Sequence, residues 1–510
     1  MENLRQKLKI FNYRPLVLVF LGLVAGVLIA NFILCQTILT VVCIAIGLTV
    51  ILFYSILHKT FKYAIIFSIC FLLGFFGYKI YINAHTYTPI STPNKQAVGE
   101  VVSIARYDNC LNLLLTDVKV DDEALDYNVT LYYYNTEQKG YVCLEVGSVI
   151  TFNIDEIKSV KYYDEENLPN TYNLSNNVGA RFETVEVELI KTNTSIRKSI
   201  LKRVRENLRL GLNNQNGEMV YSAMFGDKTN LNHELYDAYK ASGLAHLLAV
   251  SGLHVGLVTA IIYWLLKKFK VKNWWRVAIV VILLFCYAYL CNFSHSIVRA
   301  SIMAIVIMLA PLLFSEYDIL SSICLAGALI LIIEPIALFH VSALLSFGCV
   351  FGIAMLYPLF KKFFMATRFS NGISDAFSIS LATLISTLPI MAKYFGYIQP
   401  IALISNIIIL PIFSILFTIT FALAMFGLIL PFISYALIFI NPLFEWLNWA
   451  IIFIANHSMS LITPYVNFMT ILLFFCWMTF VGRYNVTKGL KRLSLISVCT
   501  CVLALQIAII

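Results

Sequence analysis

Apolar stretches of roughly 17–25 residues recur along this chain, each long enough as a helix to cross a ~30 Å hydrocarbon core. That recurrence limits the fold more than any other feature. The first stretch is PLVLVFLGLVAGVLIANFILC, from Pro15, and the stretches are missing only from about 84–243. Of the 510 residues, 60% are hydrophobic and 13% charged, with a mean hydropathy of +0.80, far from the balance of a soluble domain. Two membrane parts flanking one soluble part are expected.

Arg5, Lys7, Lys9 and Arg14 precede the first stretch, and two further apolar runs follow before residue 84. Without a small-residue cleavage site, this reads as an anchored helix rather than a removed signal peptide. The positive-inside rule then places the N-terminus and the Lys59/Lys62 loop in the cytoplasm and the soluble part outside. KKFKVK at 267–272, KKFFMATR at 361–368 and the cluster Arg483, Lys488, Lys491 and Arg492 keep that parity if about ten spans follow. The expected division is 1–83 with three transmembrane helices, 84–192 as a β domain, 193–243 as helices at the membrane surface, and 244–510 with about ten transmembrane or re-entrant helices.

Between about 97 and 190 the runs become short and alternating: GEVVSI, LNLLLTDVKV, NVTLYYY, GSVITFNI and RFETVEVELI. Five or so such strands suggest a small barrel or sandwich, with an oligonucleotide-binding (OB) type barrel as one candidate. The fold class is therefore a polytopic α-helical membrane protein with an inserted extracytoplasmic small β-barrel (OB-like) domain. Tyr132, Tyr133 and Tyr134 could stack bases there. Yet residues 84–190 carry 17 acidic against 7 basic side chains, the wrong sign for a phosphate-tracking groove, so a structural or partner-docking module remains open. Cys110 and Cys143 are the two cysteines of this region, and an oxidising outer compartment would allow a disulfide between them; two reduced, buried thiols are the alternative.

SIRKSILKRVRENLRL, which follows, spaces Ile196, Ile200, Val204 and Leu208 four apart, with Lys198, Lys202, Arg203, Arg205 and Arg209 on the remaining surface, an amphipathic basic helix expected at the outer membrane interface. Beyond it lies AHLLAVSGLHVG (245–256), polar within an apolar segment. If that segment is helical, His246, Ser251 and His254 fall within an arc of about 140°, and Gly252 and Gly256 form a GxxxG spacing for close helix contact. Ionisable groups inside a bundle tend to face its interior or a wet cavity, and His295, Arg299, Glu334, His340, Asp375 and Lys393 recur near span boundaries. Two histidines eight apart with no nearby carboxylate or thiolate motif make a poor metal site. A buried Ser/His pair would suit intramembrane hydrolysis, but Ala249 stands where that class has the first glycine of GxSG. Plain hydrogen bonding in a packed core is the third reading. The sequence holds no GxxxxGK[ST] motif, so ATP hydrolysis is not expected, and neither catalytic residues nor a cofactor are assigned.

SAMFGDKTNLNHELYDAYKASGLAHLLAVSGLHVGLV closely resembles the signature of the ComEC family of competence proteins, inner-membrane channels through which transforming DNA enters bacteria. The resemblance continues in IVRASIM (297–303), in EPIALFHVSALLSFGCVFGI (334–353), where the family more often has an aspartate before the proline and a glutamine near 344, and in PIALISNIIILP (400–411). LPNTYNLSNNVGARF (168–182) resembles a degraded form of the segment closing the family's OB-like domain. The resemblance implies passage of single-stranded DNA into the cytoplasm, with Asp227, Lys228, His246, Ser251, His254 and Arg299 lining the pore or fixing its walls, and Arg299 and Lys228 placed to meet phosphates. It also implies a bacterial inner-membrane location, contact with membrane lipids, a separate DNA receptor, nuclease and cytoplasmic motor, and a possible homo-oligomer. Many members carry a C-terminal metallo-β-lactamase-like domain; none is expected here, since no metal-ligand cluster is seen. An intramembrane serine hydrolase using Ser251, and a transporter or assembly factor for another polyanion, are the competing readings.

Overall fold

The computed structural model describes residues 15–32, 61–87, 95–106, 110–121, 123–134, 144, 146–192, 195–313, 319–365, 371–463 and 466–481. The middle of the three N-terminal apolar runs, Cys143 and hence the expected Cys110–Cys143 disulfide, and the basic tail with the last apolar run fall outside these. The chain divides into two compact units, residues 21–199 with 330–340, and residues 1–20, 200–329 and 341–510.

In the first unit, α1 (Pro15–Phe32) and α2 (Phe61–Ala84) cross at glycines. A Cβ at Gly22 would stand 2.9 Å from the Phe67 carbonyl oxygen, one at Gly74 2.5 Å from that of Leu23, and one at Gly26 would meet the Phe71 backbone. With lipid as apolar as the side chains, such close van der Waals contact is what holds two membrane helices together. Gly26→Val should force the pair apart and lower the thermal midpoint of the detergent-purified protein by several degrees. Gly77→Val is the control, because nothing lies within 4 Å of a Cβ there. Equal midpoints for the two variants would refute the contact.

The β domain is one sheet of β1 (Gln96–Arg106), β2 (Cys110–Val120), β3 (Glu123–Ala124), β4 (Asn128–Tyr134), β5 (Ser148–Asn153), β6 (Glu156–Lys158), β7 (Val178–Thr184) and β8 (Val187–Thr192), with the short helix α3 (Thr171–Ser175) before β7. The strand order is β6-β7-β4-β2-β1-β5-β8, with β3 added to β2. β4 and β7 run parallel and the other pairs antiparallel. The expected barrel does not close: three-residue β6 ends the order on β7, β8 takes the free edge of β5, and the two ends never pair. Leu113, Leu115, Val129, Leu131, Ile150 and Phe182 are fully buried in its core. Alternation along β4 sends Tyr133 into that core, 6% exposed, while Tyr132 lies under the Arg181 guanidinium at 3.8 Å and the Tyr134 hydroxyl donates to Glu183 Oε1 at 3.4 Å. The three tyrosines therefore do not form the expected open stacking surface. Lys158 Nζ lies 2.7 Å from Glu183, which raises its ammonium above the ordinary range, and burial, then Glu183, pushes the Cys110 thiol up.

Polar contacts seat this sheet on its helices. Buried Asn31 donates to the Asn167 carbonyl (3.1 Å) and accepts the Tyr78 hydroxyl (2.5 Å). Ser175 donates to Glu334 Oε1 at 2.7 Å, just before the 3-10 turn Pro335–Phe339, whose Phe339 ring meets Tyr78 at 6.2 Å.

The second unit contains α4 (Ile196–Arg209, from Ile200), α5 (Asn214–Phe225), α6 (His233–Ala241), the 3-10 turn Ala245–Leu248, α7 (Gly252–Lys268), α8 (Asn273–Leu290), α9 (His295–Leu313), α10 (Ile319–Ile333, to Leu329), α11 (Val341–Met365) and α12 (Asn371–Phe395). It continues with β9 (Tyr397–Ile398), α13 (Ala402–Phe426), the 3-10 turn Pro431–Phe439, α14 (Asn441–Asn456), β10 (Leu461–Ile462, paired with β9) and α15 (Phe468–Val481). Among the described residues, α1, α2, α8, α11, α12 and α13 are long and apolar enough to cross a membrane, a multi-pass arrangement. The segment expected as one span over 430–456 is instead a 3-10 turn and α14, bent by 48°.

The C-terminal part of the apolar side of α4 is covered, with Val204 and Leu208 fully buried in the helical core and Asn207 donating to the Ala424 carbonyl at 3.4 Å, whereas Ile196 is exposed. The expected interfacial helix is thus docked on protein along that face, with Lys202 and Arg203 exposed. A buried amide network joins α5, α6 and α14: Asn216 Nδ2 donates to Asn441 Oδ1 (2.9 Å), Asn448 Nδ2 to Asn216 Oδ1 (2.8 Å), and the Tyr239 hydroxyl to Asn448 Oδ1 (2.9 Å). Asn448→Leu strands both neighbours and should destabilise the protein by about 1–3 kcal/mol in denaturation measurements, where an unchanged value would count against the network.

Candidate functional site

The site is a break in a helix. α5 ends at Gly226, whose φ of +80° is the left-handed conformation glycine adopts most cheaply, and its N–H caps the Ser222 carbonyl at 2.7 Å. The chain then passes through α6 and the turn Ala245–Leu248, runs extended at Ala249 (φ −122°, ψ 147°) and Ser251 (φ −123°, ψ 164°), and becomes helical again only at Gly252. The arc that a continuous helix would give His246, Ser251 and His254 therefore does not exist. Non-helical backbone among apolar helices needs protein partners. Ser222 Oγ donates to the Leu248 carbonyl at 2.9 Å, and the Tyr287 hydroxyl to the Met224 carbonyl at 2.7 Å.

His254 is fully buried, its ring stacked on Phe417 at 4.3 Å with Phe413 at 6.1 Å. Its Nδ1 accepts the backbone N–H of Ser251 at 3.4 Å, and its Nε2 is enclosed without a partner, as is the Ser251 hydroxyl oxygen. His246 interacts electrostatically with His254, yet is itself exposed to water, on a turn enclosed enough for the surrounding protein to desolvate it. Gly252 and Gly256 are exposed: a Cβ at Gly252 would find only Ala300 at 3.9 Å, and at Gly256 nothing within 4 Å. The close helix contact expected at this GxxxG is not made by any described residue, because the glycine face turns away from the core that holds His254.

Ala300, beside Gly252, brings α9 to the break, and the preceding Arg299 is 3% exposed, its Nη2 donating to Ser342 Oγ on α11 at 2.7 Å. It holds a wall rather than facing solvent. A Cβ at Gly226 would stand 3.5 Å from Val250 Cγ2, so the end of α5, with the neighbouring Asp227, lies beside the extended stretch. Asp227 takes Arg205 at 3.2 Å and the backbone N–H of Thr229 at 3.0 Å, and is thereby tied to an ion network in which 6%-exposed Glu218 receives Arg205 (3.3 Å) and Arg209 (2.8 Å). Lys228 is exposed and lies over the Tyr236 ring at 4.8 Å, turned towards α6. The structure thus gathers Asp227, His246, Ser251, His254 and Arg299 around one break, with Lys228 at its margin.

Chemically, the site offers hydrogen-bonding groups and a buried guanidinium, with exposed Lys228 at its margin and carboxylates confined to one ion network. No acidic residue occurs between Asp237 and Glu316, an interval that includes His246, His254, Arg299 and the lysines of 267–272. That acid-free run was the available sequence signal for polyanion handling. Ser222, Tyr287 and Ser342, which complete the site, carry no motif. No described group of three or more His, Cys, Asp or Glu could hold a metal ion. His254 presents no base to the Ser251 hydroxyl, since Nδ1 is engaged by backbone.

Because the imidazole packs as an aromatic, His254→Phe should keep the fold, whereas His254→Ala should open a cavity and cost about 3–5 kcal/mol. Thermal denaturation of both variants checks this; a greater loss for Phe than for Ala would show that the ring's nitrogens, not its packing, dominate.

A model of the competence protein family matches residues 223–487, which include the entire break. Among similar proteins, the chain is 26% identical over 198 residues to ComE operon protein 3 of Bacillus subtilis, covering 38% of this chain and 24% of that one. It is 26% identical over 247 residues to Recombination protein 2 of Haemophilus influenzae (46% and 31%), and 26% over 220 residues to Competence protein ComA of Neisseria gonorrhoeae (41% and 30%). The match therefore spans about a quarter to a third of the length of these relatives. No solved structure matches the chain significantly.

Proposed function

Since the chain belongs to the competence protein family, we propose that it acts in DNA uptake, as an inner-membrane channel passing single-stranded DNA to the cytoplasm. The observation that carries this reading is the helix break inside the matched region, set in a stretch without an acidic residue. A polyanion crossing an apolar medium needs cations and hydrogen-bond donors in place of water, and repulsive carboxylates kept away. His246 on its exposed turn and Lys228 at the margin are the exposed groups that meet phosphate. Buried Arg299 acts through its field and by holding α9 to α11, and His254 and Ser251 shape the turn. In this reading the N-terminus is cytoplasmic, the β domain lies outside, and a separate receptor, nuclease and motor supply capture, strand degradation and drive. A homo-oligomer is compatible with it.

The test is complementation of a competent bacterium lacking its own family member. Arg299→Gln and His246→Ala, each present in the membrane at wild-type amounts, should lower transformation at least tenfold, a loss of about 1.4 kcal/mol or more in effective barrier terms. Surface-bound labelled DNA should persist while its cytoplasmic entry falls. Wild-type transformation by both variants would sink the assignment. Hydrolysis by Ser251 gains no support from the geometry, because its hydroxyl has no base within hydrogen-bond reach.

A further inference from the structure

A groove of about 660 Å³ runs along α11, apart from the helix break. Ile353, Ala354, Pro358 and Met365 wall it on one side and Ile319 of α10 on the other. Residues 353–365 advance about 18 Å along a helix, a length suited to a hydrocarbon chain. Pro358 lies inside α11 where the groove runs, and its ring nitrogen cannot donate to the preceding turn.

Charge in the groove is confined to one end. Tyr357, Lys361 and Lys362 stand there. Lys361 Nζ is 2.9 Å from Asp375 Oδ1 and donates to the Tyr357 hydroxyl at 3.1 Å, which in turn donates to Asp375 at 2.9 Å. Asp375 thereby neutralises Lys361 and fixes the α11–α12 hairpin. Lys362 is exposed, and among the described residues no acid pairs with it. Among the described residues that end therefore keeps about one net positive charge, at the mouth of an apolar trough on a membrane helix.

We propose that this groove is a binding site for an anionic phospholipid, one acyl chain lying along Ile353, Ala354 and Pro358 and the phosphate meeting Lys362. The charge asymmetry selects the occupant. A neutral hydrocarbon would leave Lys362 uncompensated, and a soluble anion would leave the apolar walls uncovered, whereas an amphiphile with an acidic headgroup satisfies both. The bound lipid would brace the α11–α12 hairpin at its lysine end.

The test uses the full chain in lipid nanodiscs containing phosphatidylglycerol or phosphatidylcholine with a photoactivatable acyl chain, read by mass spectrometry of the peptides. Phosphatidylglycerol should label 353–365 about fivefold more than phosphatidylcholine, the weight of one lysine near an anionic surface. Lys362→Glu should abolish that preference while leaving labelling elsewhere unchanged. Ile353→Trp, which fills the trough, should remove labelling by both lipids without lowering the thermal midpoint. Equal labelling by the two lipids, a preference that survives Lys362→Glu, or cross-linking of 353–365 to another segment or a second copy of the chain instead of lipid would each overturn the proposal.

Discussion

Backbone N–H and C=O groups cannot be left unpaired in an apolar interior, and much of this structure follows from that requirement. Where helices continue, they satisfy it themselves. Where the chain breaks, side chains take over: Ser222 on the Leu248 carbonyl, Tyr287 on that of Met224, Asn207 on that of Ala424. These contacts permit a turn and an extended stretch to precede α7, so that Ser251 and Gly252 form a helix start amid apolar helices rather than the middle of a span. Without them, the polar residues of 245–256 would have no defined geometry to act from.

The polar residues of the interior fall into separate kinds of work. The amide network of Asn216, Asn441 and Asn448 joins helices distant in sequence, and the Arg205–Glu218–Arg209 pairings join the consecutive helices α4 and α5. A removed partner there leaves a buried group unpaired, which penalises alternative packings. At the break, Ser251 Oγ and His254 Nε2 are enclosed without hydrogen-bond partners, and His246 is exposed. Other buried polar atoms, among them Thr259 Oγ1, Ser301 Oγ and Thr420 Oγ1, are unpartnered too, so what marks the break as the candidate site is its extended backbone inside the stretch matched by the family model.

Glycine shows how little a motif decides by itself. Gly22 and Gly26 have the same spacing as Gly252 and Gly256, yet only the first pair lets two backbones touch. The difference lies in what stands opposite: the α2 backbone at Phe67, Phe71 and Phe75 meets the first pair, while the second finds only Ala300 at 3.9 Å. Similarly, β4 carries three consecutive tyrosines, and strand alternation with Arg181 and Glu183 nearby removes them from the role their composition suggested.

Hydropathy alone determined the membrane class, the position of the β domain and the polar character of 245–256, because helix length and strand alternation are local properties that each segment carries in its own residues. The resemblance in AVSGLHVG also belongs to the sequence, and the family match over 223–487 agrees with it. Tertiary structure decided that the segment breaks before Gly252, that His254 packs on Phe417, that Arg299 is held by Ser342, and that the sheet remains open. Each of these depends on a partner far along the chain, on Leu248 meeting Ser222, on α9 meeting α11, or on two sheet edges failing to meet. Pairings of that kind are set by packing in three dimensions, where no local spacing specifies which surfaces will face one another.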